Sequence, residues 1–415
     1  MGSLTRGSSL RRAVPARWRQ LDWWLVGAAL ALAVLGCVMV WSATQHRAEI
    51  TGGDPRAFLD KQIVNLVLAL CLGGLVLAVD HRWVRIFAPL AYLAVVVGLV
   101  LVLTMGSTIN GSRSWLMLGG LSLQPSELAK LAVVVGMALV VAERSEWSLG
   151  ATSRSRPGSA PTGRRDGGPG VLVLMLAVAA VPSVLILAQP DLGTMLVLSA
   201  TVVGVLAVAG VARRWLVLLG LGGVAVAAFA VTSGFLKQYQ IDRFLAFTDP
   251  TLDPRGAGYN VEQARIAIGN GGLLGQGLFE GSQTRAGFVP EQHTDFVFTV
   301  IGEELGLVGA LLVVALLAVV LWRALSIATH AEDVFGRVAA AGIACWLGFQ
   351  SFQNIGMCLG IMPVTGVPLP FVSYGGSSLF ACMIAVGLLQ NIHLRSASAP
   401  AARLQPSRGV LARSR

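Results

Sequence analysis

The stretch Gly287-Phe-Val-Pro-Glu-Gln-His-Thr-Asp295-Phe-Val-Phe-Thr-Val-Ile-Gly-Glu303-Glu304 closes the longest polar segment between hydrophobic runs and opens another run, residues 296–321. Within a few residues the chain passes from polypeptide that needs water to polypeptide that needs lipid. A carboxylate at such a boundary is desolvated on one side, which raises its pKa, and is reachable by a substrate on the other. Asp295 therefore suits a general base. It equally suits a helix N-cap, as does Thr294, because either side chain can accept a hydrogen bond from a first-turn amide.

The pattern around this boundary sets the class. Of 415 residues, 55% are hydrophobic and 13% charged, with mean hydropathy +0.71, whereas soluble chains carry about 25% charged residues. Runs long enough to span the hydrocarbon recur at 21–44, 63–79, 86–105, 125–142, 171–188, 192–212, 215–235, 296–321, 338–360 and 378–392. The expected fold is an all-α polytopic membrane protein of ten transmembrane helices. The fifth and sixth runs are separated by little more than Gln189-Pro190-Asp191, a tight turn, since proline cannot continue the helix and Asp191 disfavours lipid.

Basic residues orient the chain. With the N-terminus in the cytoplasm, 21 of the 31 lysines and arginines fall in cytoplasmic segments and nine in outer ones, with Lys130 inside a span. This asymmetry implies a plasma-membrane protein with both termini cytoplasmic. It also accounts for the net charge of +10 without nucleic acid, because cationic arms sit beside anionic headgroups. Residues 1–20 form a basic arm, followed by a run of full membrane length, so no cleavable signal peptide is expected. The transmembrane domain covers 21–395. The linker 143–170 and the tail 396–415, rich in Ser, Gly, Pro and Arg, are expected to lack a core. The five cysteines lie in or at the ends of apolar runs with no Cys-x-x-Cys pair, which disfavours metal or redox use.

The irregular polypeptide gathers on the outer side. Residues 106–123 are too short and polar to span, and suggest a re-entrant or surface hairpin. The large extracytoplasmic loop, 236–295, contains a short amphipathic helix that starts near Asn260 and is stopped by Gly269-Asn270-Gly271-Gly272. Residues 362–377, with Pro363, Pro368, Pro370, Gly366, Gly375 and Gly376, cannot form regular helix.

Charged residues near this face are few. Gln124-Pro-Ser-Glu127-Leu-Ala-Lys130 opens the fourth span, with Pro125 at the first helical position and Glu127 at the third, a capping site. Lys130 lies one turn deeper on the same face. It either pairs with Glu127, Asp295 or a ligand anion, or snorkels to the headgroups. Asp191 can cap a helix. Arg113 and Arg243 can hold phosphate bidentately, or Arg243 can pair with Asp242 or Asp249.

NGSRSW, QPSELAKL, QPDLGT, DRFLAFTDP, QARIAIGNGGLLGQGL, PEQHTDF, GEELG and PVTGVPLPFVSYGGSS occur in that order between Leu21 and Ile392. Together they resemble the SEDS family of RodA, FtsW and SpoVE, and two of them lean to RodA of high-GC Gram-positive bacteria. The resemblance implies ten transmembrane helices and a peptidoglycan glycosyltransferase that polymerises lipid II for elongation or division. It implies a class B penicillin-binding protein as partner and a divalent cation, Mg or Mn, on the substrate pyrophosphate. Asp295 falls on the family's essential aspartate, and Glu127 and Lys130 on its fourth-helix pair. Arg113, Asp191, Arg243 and Ser373 are then the substrate-binding candidates. A lipid II flippase is the competing reading, since intramembrane Lys130 and a broken loop would suit a transporter. Few buried charges in the inner halves of the spans speak against it. A scaffold for the synthase partner is the third.

Overall fold

In this computed structural model the described residues are 20–109, 112–118, 121–152, 169–234 and 256–403, together with 240, 241, 243, 247 and 253. Most of the basic arm, of the linker after residue 152 and of the tail lies outside them, as do Asp242 and Asp249.

The chain is helical nearly throughout. In order come α1 (Trp23–Thr44), the short α2 (Ala48–Thr51), α3 (Ala57–Ala78), α4 (His81–Met105), strands β1 (Ser107–Ile109), β2 (Ser112–Leu118) and β3 (Leu121–Leu123), α5 (Pro125–Thr152), α6 (Pro169–Ala188), α7 (Leu192–Val208) and α8 (Arg213–Thr232). Then follow α9 (Ala257–Asn270), α10 (Ser282–Ala286), α11 (Val297–Glu304), α12 (Gly306–His330), α13 (Val334–Cys358) and α14 (Gly376–Arg403). Among the described residues, eight helices are long and apolar enough to cross a membrane. The two other expected runs fall on α7, which has 17 residues, and on α13, whose apolar character is interrupted by Gln350, Gln353 and Asn354.

Segment 106–123 is a surface structure: β1, β2 and β3 form an antiparallel sheet in that order. The amphipathic helix in the large loop is α9, ended at Gly271.

The run 296–321 is two helices rather than one. It breaks at Leu305 and Gly306, where Gly306 takes φ +65°, a conformation that costs glycine little. The glycine-rich loop after α9 satisfies the broken ends. Gln276 and Gly277 donate to the carbonyls of Glu303 and Glu304 at 2.9 and 3.1 Å, and the Leu307 and Val308 amides donate to Gly272 and Leu273 at 2.9 and 3.2 Å. The orphan groups of both helix ends are thereby paired.

Helix α13 sits at the centre, packed by α5, α7 and α12, and buries Trp346, Phe335 and Leu347. The tightest pairing is α3 against α14. A Cβ on Gly73 would meet the Met383 carbonyl oxygen at 2.6 Å, so only small residues allow this approach. Helix α8 buries none of its residues and projects from the bundle against α7.

Candidate functional site

Asp295 lies in the turn between the large loop and α11. Its own amide donates to the Glu291 carbonyl at 3.1 Å. The cap reading is not realised: the N-cap of α11 is Phe296, with no side-chain cap, and the Thr294 hydroxyl donates back to the Glu291 carbonyl at 3.0 Å. No donor among the described residues reaches the Asp295 carboxylate. Burial first, then the negative charge of Glu291, pushes its pKa up to about 7, against the opposing charge of Arg243. A carboxyl with that proton affinity can accept a proton at neutral pH.

The backbone of this turn is held from α13. Asn354 Nδ2 donates to the Asp295 carbonyl at 2.6 Å and to the Val367 carbonyl at 2.7 Å. One amide thus ties the aspartate to the proline-rich loop 362–377. Gln353 Nε2 donates to the Pro363 carbonyl and the Thr365 hydroxyl, both at 3.1 Å. Gly366, at φ +68°, brings that loop against the carboxylate, and a Cβ there would lie 3.2 Å from Asp295 Oδ2.

Lys130 does not snorkel. It is fully buried, with Nζ 2.6 Å from Glu127 Oε1 and 2.7 Å from Gln350 Oε1. Its ammonium also lies over the Trp346 ring, 5.6 Å from the centroid. Gln350 passes the connection on, donating from Nε2 to the Pro368 carbonyl at 2.9 Å. Glu127 is accordingly the ion-pair partner. The Gln124 amide that it would cap is taken by Ser377 Oγ at 2.7 Å.

The remaining candidates take different places. Asp191 N-caps α7, accepting from the Thr194 amide at 2.9 Å and hydroxyl at 2.8 Å, and burial raises its pKa. A Cβ on Gly193 would collide with the Thr365 carbonyl oxygen, so the start of α7 lies directly against the proline-rich loop. Arg243 is partly buried and its charge reaches Asp295. Arg113 is exposed on β2 and donates to the Leu103 carbonyl at 3.2 Å, at the root of the hairpin. Ser373 is buried and accepts from the Leu369 amide at 2.8 Å, fastening a turn of the loop.

Sequence reasoning passed over Gln350, Gln353 and Asn354. Three amides within five residues of a membrane span were the signal, since unpaired amides are costly in lipid. It also passed over His293, whose ring packs edge-on to Phe58 at 5.0 Å and whose carbonyl accepts from the Tyr374 amide at 2.9 Å. Burial, reinforced by Arg47 and opposed by Glu291, lowers its pKa to about 4. Glu303 is a support, accepting from the Gln283 and Thr284 amides at 2.6 and 2.9 Å to fix α10.

No group of three or more His, Cys, Asp or Glu that could hold a metal ion is found among the described residues.

Comparison with known proteins adds an independent line. The family described as cell cycle protein, comprising FtsW, RodA and SpoVE, matches residues 22–398. Peptidoglycan glycosyltransferase MrdB of Escherichia coli K12 is 38% identical over 366 residues, covering 88% of this chain and 91% of the relative. A probable peptidoglycan glycosyltransferase FtsW of Aeromonas salmonicida is 39% identical over 399 residues, covering 94% and 95%. Among solved structures, one of a peptidoglycan synthase complex that coordinates polymerization and crosslinking superposes with a TM-score of 0.72 at 34% identity, covering 91% of this chain and 99% of that one. The rod shape determining protein RodA of Thermus thermophilus gives 0.63 at 31% identity, covering 91% and 97%.

Proposed function

We infer that this chain, which belongs to the SEDS family of FtsW, RodA and SpoVE, uses Asp295 as the general base of a peptidoglycan glycosyltransferase. The chain is a multi-pass membrane glycosyltransferase of cell-wall synthesis. The finer reading is that it polymerises lipid II at the outer face of the plasma membrane. Joining two lipid-linked disaccharides requires a base for the proton of the acceptor 4-hydroxyl and positive charge for the departing pyrophosphate. The observation that carries the reading is the Asp295 carboxylate, which has no donor among the described residues and a pKa pushed up to about 7.

Each neighbour has a part in this scheme. Arg243 sits where its charge reaches Asp295, so the same guanidinium can meet the pyrophosphate. Lys130, already neutralised by Glu127, holds the proline-rich loop through Gln350 rather than offering a free cation. A divalent cation, Mg or Mn, would be carried by the pyrophosphate oxygens. The described residues supply no group of three or more acidic, His or Cys ligands as a cage for it. A class B penicillin-binding protein is the proposed partner. Its support is the likeness to a synthase complex that coordinates polymerization and crosslinking.

The test is glycan synthesis by purified protein, with and without a penicillin-binding protein encoded beside it, from lipid II and divalent metal. Asp295→Asn should fold, retain lipid II and lose about 10²–10⁴-fold in rate. Near-parental polymerisation by this variant would falsify the base assignment. Lipid II crossing liposomes without polymer formation by the parent would favour the flippase.

A further inference from the structure

A polar cavity lies at the end of the bundle away from Asp295. Helix α14 starts beside the proline-rich loop and reaches Arg395 roughly 30 Å further on, at 1.5 Å per residue. There a cavity of about 380 Å³ opens between the α3–α4 turn and the end of α14. Its walls include Asp80, His81, Arg82, Asn391 and Arg395, with Leu77, Val79 and Leu394 as the apolar part. The volume falls within the range of small-ligand sites, about 300–1,000 Å³.

The cavity is held in shape by the protein itself. Asn391 Nδ2 donates to the Val76 and Val79 carbonyls at 3.1 and 2.6 Å, pinning the α3–α4 turn to α14. His81 Nε2 lies 3.1 Å from Asp333 Oδ2, and Arg395 Nη1 meets the same oxygen at 3.3 Å. His81 is 5% exposed, yet its Nδ1 has no hydrogen-bond partner. That nitrogen is closed off from water-sized access, so a ligand group must be recognised by the side chains that the cavity does expose.

The chemistry of the walls selects that group. Arg82 and Arg395 both line the cavity; Arg395 is paired with Asp333, and the Asp80 carboxylate accepts from the Arg82 amide at 3.1 Å. Arg82 is exposed and has no ion-pair partner among the described residues. An exposed guanidinium without such a partner, lining one cavity with a second guanidinium, suits a phosphodiester. The apolar residues and the neighbouring stacked pair Trp83 and Phe87, centroids 5.6 Å apart and both exposed, place the cavity at a lipid interface. Basic pockets between spans at this level suit anionic headgroups. We propose that the cavity framed by His81, Arg82, Asn391 and Arg395 holds the phosphodiester headgroup of an anionic membrane lipid.

The experiment is native mass spectrometry of the full chain released from nanodiscs of equal phosphatidylglycerol and phosphatidylcholine. Parallel titrations use inorganic phosphate alone. The parent should retain phosphatidylglycerol in preference to phosphatidylcholine, and Arg82→Gln with Arg395→Gln should lower that retention at least fivefold. Arg213→Gln with Arg214→Gln removes the same charge from exposed positions on α8 and should leave retention unchanged. Arg82→Gln alone, at an exposed side chain, guards against misfolding of the double variant and should itself lower retention. Equal loss in both double variants would mean diffuse electrostatics and overturn the proposal. So would an unchanged Arg82→Gln, or phosphate binding without lipid retention.

Discussion

Asp295, half-buried, and Lys130, fully buried, are both charges next to the lipid boundary, but the structure resolves them in opposite ways. Lys130 is satisfied by Glu127 and Gln350, whereas the Asp295 carboxylate has no donor among the described residues. The unfolded Asp has a pKa of about 3.9, and folding raises it to about 7. Between those values the folded chain holds the extra proton, so this group's contribution to stability falls as pH rises through that window. Asp295→Asn should therefore melt above the parent at pH 8 in detergent and together with it at pH 4. The parent's rate should climb with pH to a plateau above about 7, because only the ionised carboxylate accepts a proton. A flat profile between pH 5.5 and 8.5 would contradict the base role. Lys130→Met should cost roughly 3–5 kcal/mol by stranding Glu127. Adding Glu127→Gln should restore most of it, and calorimetry or thermal unfolding can compare the three. If the restored double variant polymerises normally, the pair is structural only. Asp295 and Lys130 were legible in the sequence because charge stands out against apolar runs. Gln350 was not, because its role depends on a loop 18 residues further along the chain.

Helix positions were equally legible, because a membrane span is written in composition over about 20 residues. The break at Leu305 and Gly306 was not. Hydropathy runs through it, and its cause lies in the loop after α9, whose amides and carbonyls replace those the break leaves unpaired. The adjacent acids Glu303 and Glu304 were the local sign, since neither belongs inside a lipid-facing helix. Helix α13 shows the same limit. It has too many amides for a span read by hydropathy, yet those amides are what holds the irregular loop 362–377 beside Asp295. Asn354→Leu keeps the size and removes donors to two carbonyls. Each orphaned carbonyl costs about 1–3 kcal/mol. Thermal stability should drop, and polymerisation should fall more than tenfold because the Asp295 turn loses its tether. A variant with lowered stability but parental turnover per folded molecule would show that Asn354 braces the loop without positioning the base.

At the scale of the whole molecule the two ends of the bundle differ in kind. One end gathers the sheet, α9, α10, the broken run and the proline-rich loop around Asp295. The other is closed by short turns capped by acids: Asp22 caps α1 and holds Arg323 at 2.6 Å, Asp80 caps α4, and Asp333 caps α13. Burial opposes ionisation of Asp333, but His81, the Gly336 amide and Arg395 outweigh it and lower its pKa to about 2. Arg82, Arg213 and Arg214 lie at the helix starts of the same end. Positive charge is retained on the cytoplasmic side during insertion, and lipid-linked saccharide is polymerised where the wall is built. Both arguments favour the proposal that the Asp295 end faces outward. Single cysteines placed at Ser159 and at Gly281, in a chain whose five native cysteines are replaced, test this with a membrane-impermeant maleimide on intact cells. Gly281, which starts α10 beside Glu303, should label from outside, and Ser159 only after permeabilisation. Labelling of both from one side would break the alternation between them and with it the orientation on which an outer-face polymerase depends.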